Sequence, residues 1–300
     1  MSHRSTFTLR SAAVLAAAAL TLSACGGGDG AAEASAKGSE DDPIRIGVVT
    51  ESEPYWEIFT DLAEEEGIHV EFVNFTDYQL PNQGLADGDL DLNQFQHLQF
   101  LAGFNVNADE DLTPVGATAV YPLGLYSKAH DSLEDVPEGG EIAIPNDATN
   151  QARALLVLQE AGLVSLAGGG NSFSTPADVI AEDSKVTVTP VEAAQTPLAL
   201  EDVDGAIINN DWVGKAELSA EDAIFSDDPH SDAAAPYINV WVARAADADN
   251  ETFAKLVEIY HDPAVEESAQ ETAGGTAAFL DNEPAELQEI LEGIEANIEK

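Results

Sequence analysis

Residues 44–75 read IRIGVVTESEPYWEIFTDLAEEEGIHVEFVNF, and this stretch decides the class of fold. Ile44, Ile46, Val48 and Val49 form a β-branched run that stops at polar residues, the mark of a buried strand. From Tyr55 to Glu66 the apolar spacing becomes that of a helix. Ile58, Leu62 and Ala63 share one side and the acids take the other. His69 to Phe75 reads as a strand again. Strand, helix, strand is the alternation of an α/β fold.

The alternation continues outward from this stretch. Asp89 to Phe95 reads as a third short strand and His97 to Phe104 as a short helix. Val115–Val120 and Leu123–Tyr126 read as extended. A second series starts with a strand at Glu141–Pro145. A helix follows over Asn150–Ala161, with Ala154, Leu155, Leu158 and Ala161 at helical spacing. Lys185–Val191, Gly205–Asn209 and Asn239–Ala243 return to strand. Two amphipathic helices close the chain, one on Phe253, Leu256, Val257 and Tyr260, the other on Leu287, Ile290, Leu291 and Ile294. Two alternating series predict two α/β lobes with open, mostly parallel sheets. Ligands of such sheets sit beyond the carboxyl ends of the strands, here the cleft between facing lobes.

Composition narrows the function classes. The chain has 300 residues, with Lys+Arg 11 against Asp+Glu 56, a net charge of −45. A phosphate-neutralising grip on nucleic acid is excluded, as is a polybasic grip on anionic lipid. The acids are scattered, which reads as a solvated coat that salt would screen. Apolar runs along the whole chain argue against disorder. The single cysteine, Cys25, excludes an intramolecular disulfide and a cysteine-based zinc or iron–sulfur site.

That cysteine has its own context. Residues 1–24 lack Asp and Glu, carry Arg4 and Arg10, and contain an apolar run from Ser11 to Leu22 too short to span a bilayer. Leu22-Ser23-Ala24-Cys25 follows, the layout of a lipoprotein cleavage site. Residues 1–24 are expected to be a lipoprotein signal peptide, and Cys25 the lipidated first residue, held to the membrane by its acyl chains. Residues 26–42 read GGGDGAAEASAKGSEDD, so 25–42 is expected to be a flexible tether.

Four segments carry candidate chemistry. The first places Tyr78, Phe95, His97 and Phe100 near strand ends and loops. Such rings suit a thioether ligand, or they simply pack the core. Flanking Gln96 and Gln99 favour a site for His97, whereas Phe100 alone favours the core. The second segment opens a helix near Asn150, with Arg153 three residues on. A guanidinium beside a helix N-terminus suits a carboxylate, and a surface ion pair is the equal alternative. The third and fourth place Asn209 at the end of an apolar strand and Asn239 where the chain re-enters one. Each amide suits a zwitterion, or a turn or cap. No G-x-S-x-G elbow or HExxH spacing occurs, so neither catalysis nor a metal site is expected.

FTDYQLPNQGLADGDLDLNQFQH (75–97), VYPLGLYSK (120–128), IAIPNDATNQARALLVLQEAGL (142–163), DGAIINN (204–210) and YINV (237–240) together resemble the NlpA/MetQ lipoprotein family, the methionine-binding components of bacterial ABC importers. The resemblance covers nearly all of the chain after the tether. It implies a two-lobed periplasmic-binding-protein-like fold, with a ligand cleft between lobes joined by two crossing strands near Tyr121–Leu123 and Pro236–Ile238. Lobe 1 would hold 43–121 and 238–300, and lobe 2 would hold 122–237. By resemblance, Tyr78, Phe95, His97 and Phe100 hold the methionine side chain. Arg153, with Asn150, takes the carboxylate, and Asn209 and Asn239 orient the ligand's polar groups. Phe100 stands where the family usually has Tyr, and Trp212 where relatives often carry Tyr. The implied partners are L-methionine, an ABC permease with its cytoplasmic ATPase, and the membrane through a lipid anchor on the extracytoplasmic face. No cofactor, nucleic acid or oligomer is implied. The alternatives are the same fold serving another amino acid, D-methionine or a methionine-containing peptide, and a surface lipoprotein with an adhesive or signalling role.

Overall fold

In the computed structural model, β1 (Ile44–Val48) and β2 (Val70–Asn74) pair in parallel, Ile44 opposite Val70, with α1 (Tyr55–Glu65) between them. α1 turns Tyr55, Trp56, Phe59 and Ala63 into the core, as its spacing requires. The structure describes residues 37–298. The expected signal peptide, Cys25 and the tether up to residue 36 lie outside the described residues.

The first lobe continues through α2 (Pro81–Ala86), β3 (Leu92–His97), α3 (Leu98–Ala108), β4 (Thr113–Ala117) and β5 (Ala119–Val120). The chain then crosses to a second sheet. There it forms β6 (Gly124–Tyr126), β7 (Gly140–Pro145), α4 (Ala148–Glu160), β8 (Val186–Val191), α5 (Thr196–Ala199), β9 (Gly205–Ile208), α6 (Asn210–Val213) and β10 (Phe225–Ser226). It returns to the first sheet as β11 (Asn239–Ala243) and ends with α7 (Glu251–Tyr260), α8 (Pro263–Thr272), β12 (Ala278–Phe279) and α9 (Pro284–Ile298).

The first sheet has the order β2-β1-β3-β11-β4 and the second β10-β6-β9-β7-β8. β7, β8 and β9 run parallel, whereas β6 is antiparallel to β9, and β11 is antiparallel to β3 and β4. The reversed strands β6 and β11 are the ones that follow a crossing. A chain arriving from the other lobe enters its new sheet at the cleft end, where its neighbours finish. Gly124 therefore sits opposite Ile208, and Asn239 opposite His97.

Apolar clusters fix these layers. Trp56, Phe59, Trp241 and Tyr260 pack one face of the first sheet, and Leu98, Leu101, Val240, Leu287 and Leu291 the other. Ile142, Ile144, Leu155, Leu158 and Ile207 fill the second lobe. A fourth cluster spans the lobes, joining Tyr78, Phe95 and Phe100 to Ile208 and Trp212.

Three details depart from the sequence reading. Three helices, not two, close the chain. α8 was missed because it buries only Val265 and Ala269, too thin a stripe to register as periodicity. β3 runs through His97, so that residue ends a strand instead of opening a helix. Residues 37–42, within the stretch read as tether, form a turn pinned to lobe 1. Gly38 N–H donates to Asp42 O at 2.7 Å, His69 N–H donates to Gly38 O at 2.8 Å, and Lys37 Nζ meets Asp91 at 2.8 Å. Among the described residues, no helix is long and apolar enough to cross a membrane.

Candidate ligand site between the lobes

The strand ends place the site. Lobe 1 brings Phe95 and His97 from the end of β3, Phe100 from the first turn of α3, and Asn239 from the start of β11. Lobe 2 brings Arg153 from α4, Asn209 from the end of β9 and Asp211 from α6. A cavity of about 20 Å³ lies between them. It is lined by Tyr78, Phe95, His97, Phe100, Arg153, Asn209 and Asn239, together with Gln96, Tyr121, Asn210 and Asp211. Seven of the eight cleft residues expected from the sequence thus line one cavity; the eighth, Asn150, stands behind it. A volume of about 20 Å³ suits roughly one water, so an amino acid enters only when the lobes part. Phe95, Tyr121, Asp211 and Asn239 also line a second cavity of about 50 Å³, which shares Thr50, Glu53 and Asp211 with an outer groove of about 550 Å³.

Three rings form the apolar wall. Tyr78, Phe95 and Phe100 have centroids 5.7–6.1 Å apart, two of the three contacts being edge-to-face. Phe100 therefore serves both readings, packing the interlobe cluster while lining the cavity. Trp212 extends the wall from lobe 2, 5.5 Å from Tyr78.

A polar relay orients the opposite side. Asp147 caps α4, its Oδ1 accepting from Asn150 N–H at 2.9 Å and from Asn150 Nδ2 at 3.0 Å. Asn150 Oδ1 is thereby turned toward the cleft, where Asn209 Nδ2 donates to it at 2.8 Å. His97 Nε2 donates to the same oxygen at 3.3 Å. His97 Nδ1 accepts from Phe100 N–H and so cannot carry the proton. Burial, aided by the Arg153 charge, pushes the His97 pKa down to about 3, leaving a neutral imidazole. Asn209 Oδ1, facing away from Asn150, is buried without a hydrogen-bond partner among the described residues.

Arg153 forms the ion pair of the alternative reading, yet the pair is not on the surface. The side chain is only 6% exposed. Its Nε and Nη2 meet the two oxygens of Asp227 at 2.8 and 3.1 Å, and Nη2 also donates to Tyr121 O at 2.9 Å. Tyr237 lies beneath the guanidinium, 4.2 Å away. Asp227 Oδ1 also accepts from Leu123 N–H at 2.8 Å, so this knot ties both crossings together. Nη1 has no protein partner among the described residues, and Arg153 lines the cavity.

Asp211 is an acid the sequence reading passed over. Tyr78 Oη donates to its Oδ2 across the cleft at 2.7 Å. Burial raises the Asp211 pKa to about 6 despite that hydrogen bond, and the Glu53 carboxylate adds to the rise. Asp211 follows Asn209 and Asn210 directly, but among 56 acids one more carries no signal. Asp147 had one, as an Asp just before a helical run. Asp227 had none, since its contact with Arg153 spans 74 residues.

The sequence model of the NlpA lipoprotein family matches residues 44–279. The chain belongs to the NlpA lipoprotein family. One NlpA relative, the D-methionine-binding lipoprotein MetQ of Escherichia coli, is 37% identical over 245 residues, which are 79% of this chain and 89% of that protein. The substrate-binding protein of a methionine transporter from Streptococcus pneumoniae superposes with a TM-score of 0.73 at 34% identity, covering 79% of this chain and 95% of that one. A nutrient-binding protein from Burkholderia cenocepacia, bound to methionine, gives 0.72 at 36% identity, covering 79% and 99%. The two-lobed binding-protein fold expected from the sequence is therefore the one present. NlpA lipoproteins are binding proteins of transporters, not a family of enzymes.

Proposed function

We propose that the protein is the substrate-binding lipoprotein of an ABC importer and that it takes L-methionine between its lobes. One observation carries this reading. The Tyr78–Phe95–Phe100 ring wall and Arg153, whose Nη1 has no protein partner among the described residues, line the same interlobe cavity. A thioether side chain suits the rings, and a carboxylate suits the guanidinium. The relatives named for methionine support it. Tyr78, Phe95, His97 and Phe100 hold the side chain, while Arg153, Asn209 and Asn239 hold the polar end. Asn150 acts through His97 and Asn209.

Cleft contacts such as Tyr78 to Asp211 and His97 to Asn150 join the lobes, so a ligand that strengthens them favours closure. The closed protein then delivers its ligand to a membrane permease driven by a cytoplasmic ATPase. The protein acts as a monomer, without catalysis or cofactor. Residues 1–24 are its signal peptide and Cys25 its lipid anchor on the extracytoplasmic face. Lobe 1 comprises 43–121 and 238–300, and lobe 2 comprises 122–237.

Calorimetric titration of the full chain with L-methionine, after unfolding and refolding to strip carried-over ligand, tests the reading. Saturable one-to-one binding is expected. Arg153→Ala should weaken it by ~1.5–3 kcal/mol, the range of a charge-assisted hydrogen bond. Its fold is checked first, because Arg153 also pairs with Asp227. Absence of heat at several temperatures with folded protein would remove methionine. The D enantiomer is titrated alongside, since the Escherichia coli relative is named for it.

A further inference from the structure

We propose that Asp211 is the counter-ion of the ligand's ammonium group and that, with the unpartnered Oδ1 of Asn209, it makes the site selective for α-amino acids over carboxylates that lack the amine. The inference rests on the methionine reading and adds to it a residue outside the set expected from the sequence.

Charge balance in the cleft leads to it. Arg153 is already matched by Asp227 through two hydrogen bonds. Asp211 has no such match. Its hydrogen-bond donors are the Tyr78 hydroxyl at 2.7 Å and Asn210 Nδ2 at 2.9 Å, both neutral, and it forms no ion pair among the described residues. The nearby cation, Lys215, stacks over Trp212 at 3.9 Å on the outer-groove side. A half-buried carboxylate with cations nearby but no ion pair is costly, and a ligand ammonium in direct contact relieves that cost. Asn209 Oδ1 supplies the second acceptor. The relay from Asp147 through Asn150 fixes the Asn209 amide so that this oxygen faces away from Asn150. Arg153, Asn209 and Asp211 line one cavity, so a guanidinium, an amide with an unpartnered oxygen and a carboxylate meet there. A free α-amino acid carries the matching carboxylate and three N–H donors.

The test compares L-methionine with its α-hydroxy analogue, in which a hydroxyl replaces the amine. The full chain should bind methionine at least about tenfold tighter than the analogue. Asp211→Asn should lose about tenfold or more for methionine and change little for the analogue, so the preference collapses. A folded Asp211→Asn protein that keeps the preference overturns the proposal while leaving methionine binding intact. Equal weakening of both ligands also overturns it, since Asp211 would then act only through Tyr78. Failure of the unaltered protein to bind methionine overturns the underlying reading and this proposal with it.

If Asp211→Asn does not fold, the unaltered protein decides. Methionine affinity, but not that of the analogue, should fall as the pH drops through about 6. Asp211 is faced by Tyr78 and Tyr121, both held neutral by burial, and by Arg153, Lys215 and Glu53. Of these Glu53 is the other carboxyl, and burial pushes it up as well, so it is tested separately. The same fall in Glu53→Gln assigns it to Asp211, and its loss there overturns the assignment.

Discussion

Asp211 sits where its charge is unwelcome in the unliganded fold. Burial penalises the anion and raises the carboxyl to about 6, above the ordinary value of 3.8. Well below 3.8 the carboxyl is protonated in folded and unfolded chains alike, and no penalty exists. Above about 6 the folded chain alone bears it, so stability is lost as the pH rises through that window. Asp211→Asn should therefore melt above the unaltered protein at about pH 8 without ligand, and the two should converge near pH 4. Equal melting temperatures at the higher pH would show that the charge is well solvated. His97 acts in the opposite sense: with its pKa lowered from 6.5 to about 3 in the fold, only the unfolded chain gains that proton as the pH falls below 6.5, and stability is lost there, equally in both proteins, so it cancels from their comparison. Single residues were unevenly legible in the sequence. His97 stood out between Gln96 and Gln99, and the rings stood out as aromatics near loops. The state of Arg153 did not, because its partner Asp227 arrives through tertiary folding.

At the level of elements, the first turn of α4 does two things at once. Asp147 caps the helix and turns the Asn150 amide, which in turn orients His97 and Asn209. Asp147→Ala should cost ~0.5–2 kcal/mol in urea unfolding, the usual worth of a cap. It should also weaken methionine binding, although Asp147 does not line the cavity. A loss of stability with unchanged affinity would separate the cap from the relay. Long periodic elements such as α1 and α9 could be read directly, since their apolar stripes face a core. Short ones could not. α2 spans six residues and α6 four, lengths at which packing, not pattern, makes the helix.

For the whole molecule, the charge of −45 dominates. Like charges spread over the surface repel, and the Debye length shrinks from about 10 Å at 0.1 M salt to about 3 Å at 1 M. The melting temperature should rise over that range of sodium chloride. A flat response would mean that the coat does not strain the fold. The two-lobed plan was visible in the sequence as two strand–helix series, and the chain passes between the two sheets between Val120 and Gly124 and again between Ser226 and Asn239. The knot that braces those crossings was not visible, because Leu123, Arg153 and Asp227 meet only in three dimensions. The described chain starts and finishes on the same lobe, in the turn at Lys37–Asp42 and in α9 packed on α3 and β4. A load applied at Lys37 thus enters that lobe first. The second lobe lies outside that load path, like a door hung on a loaded post.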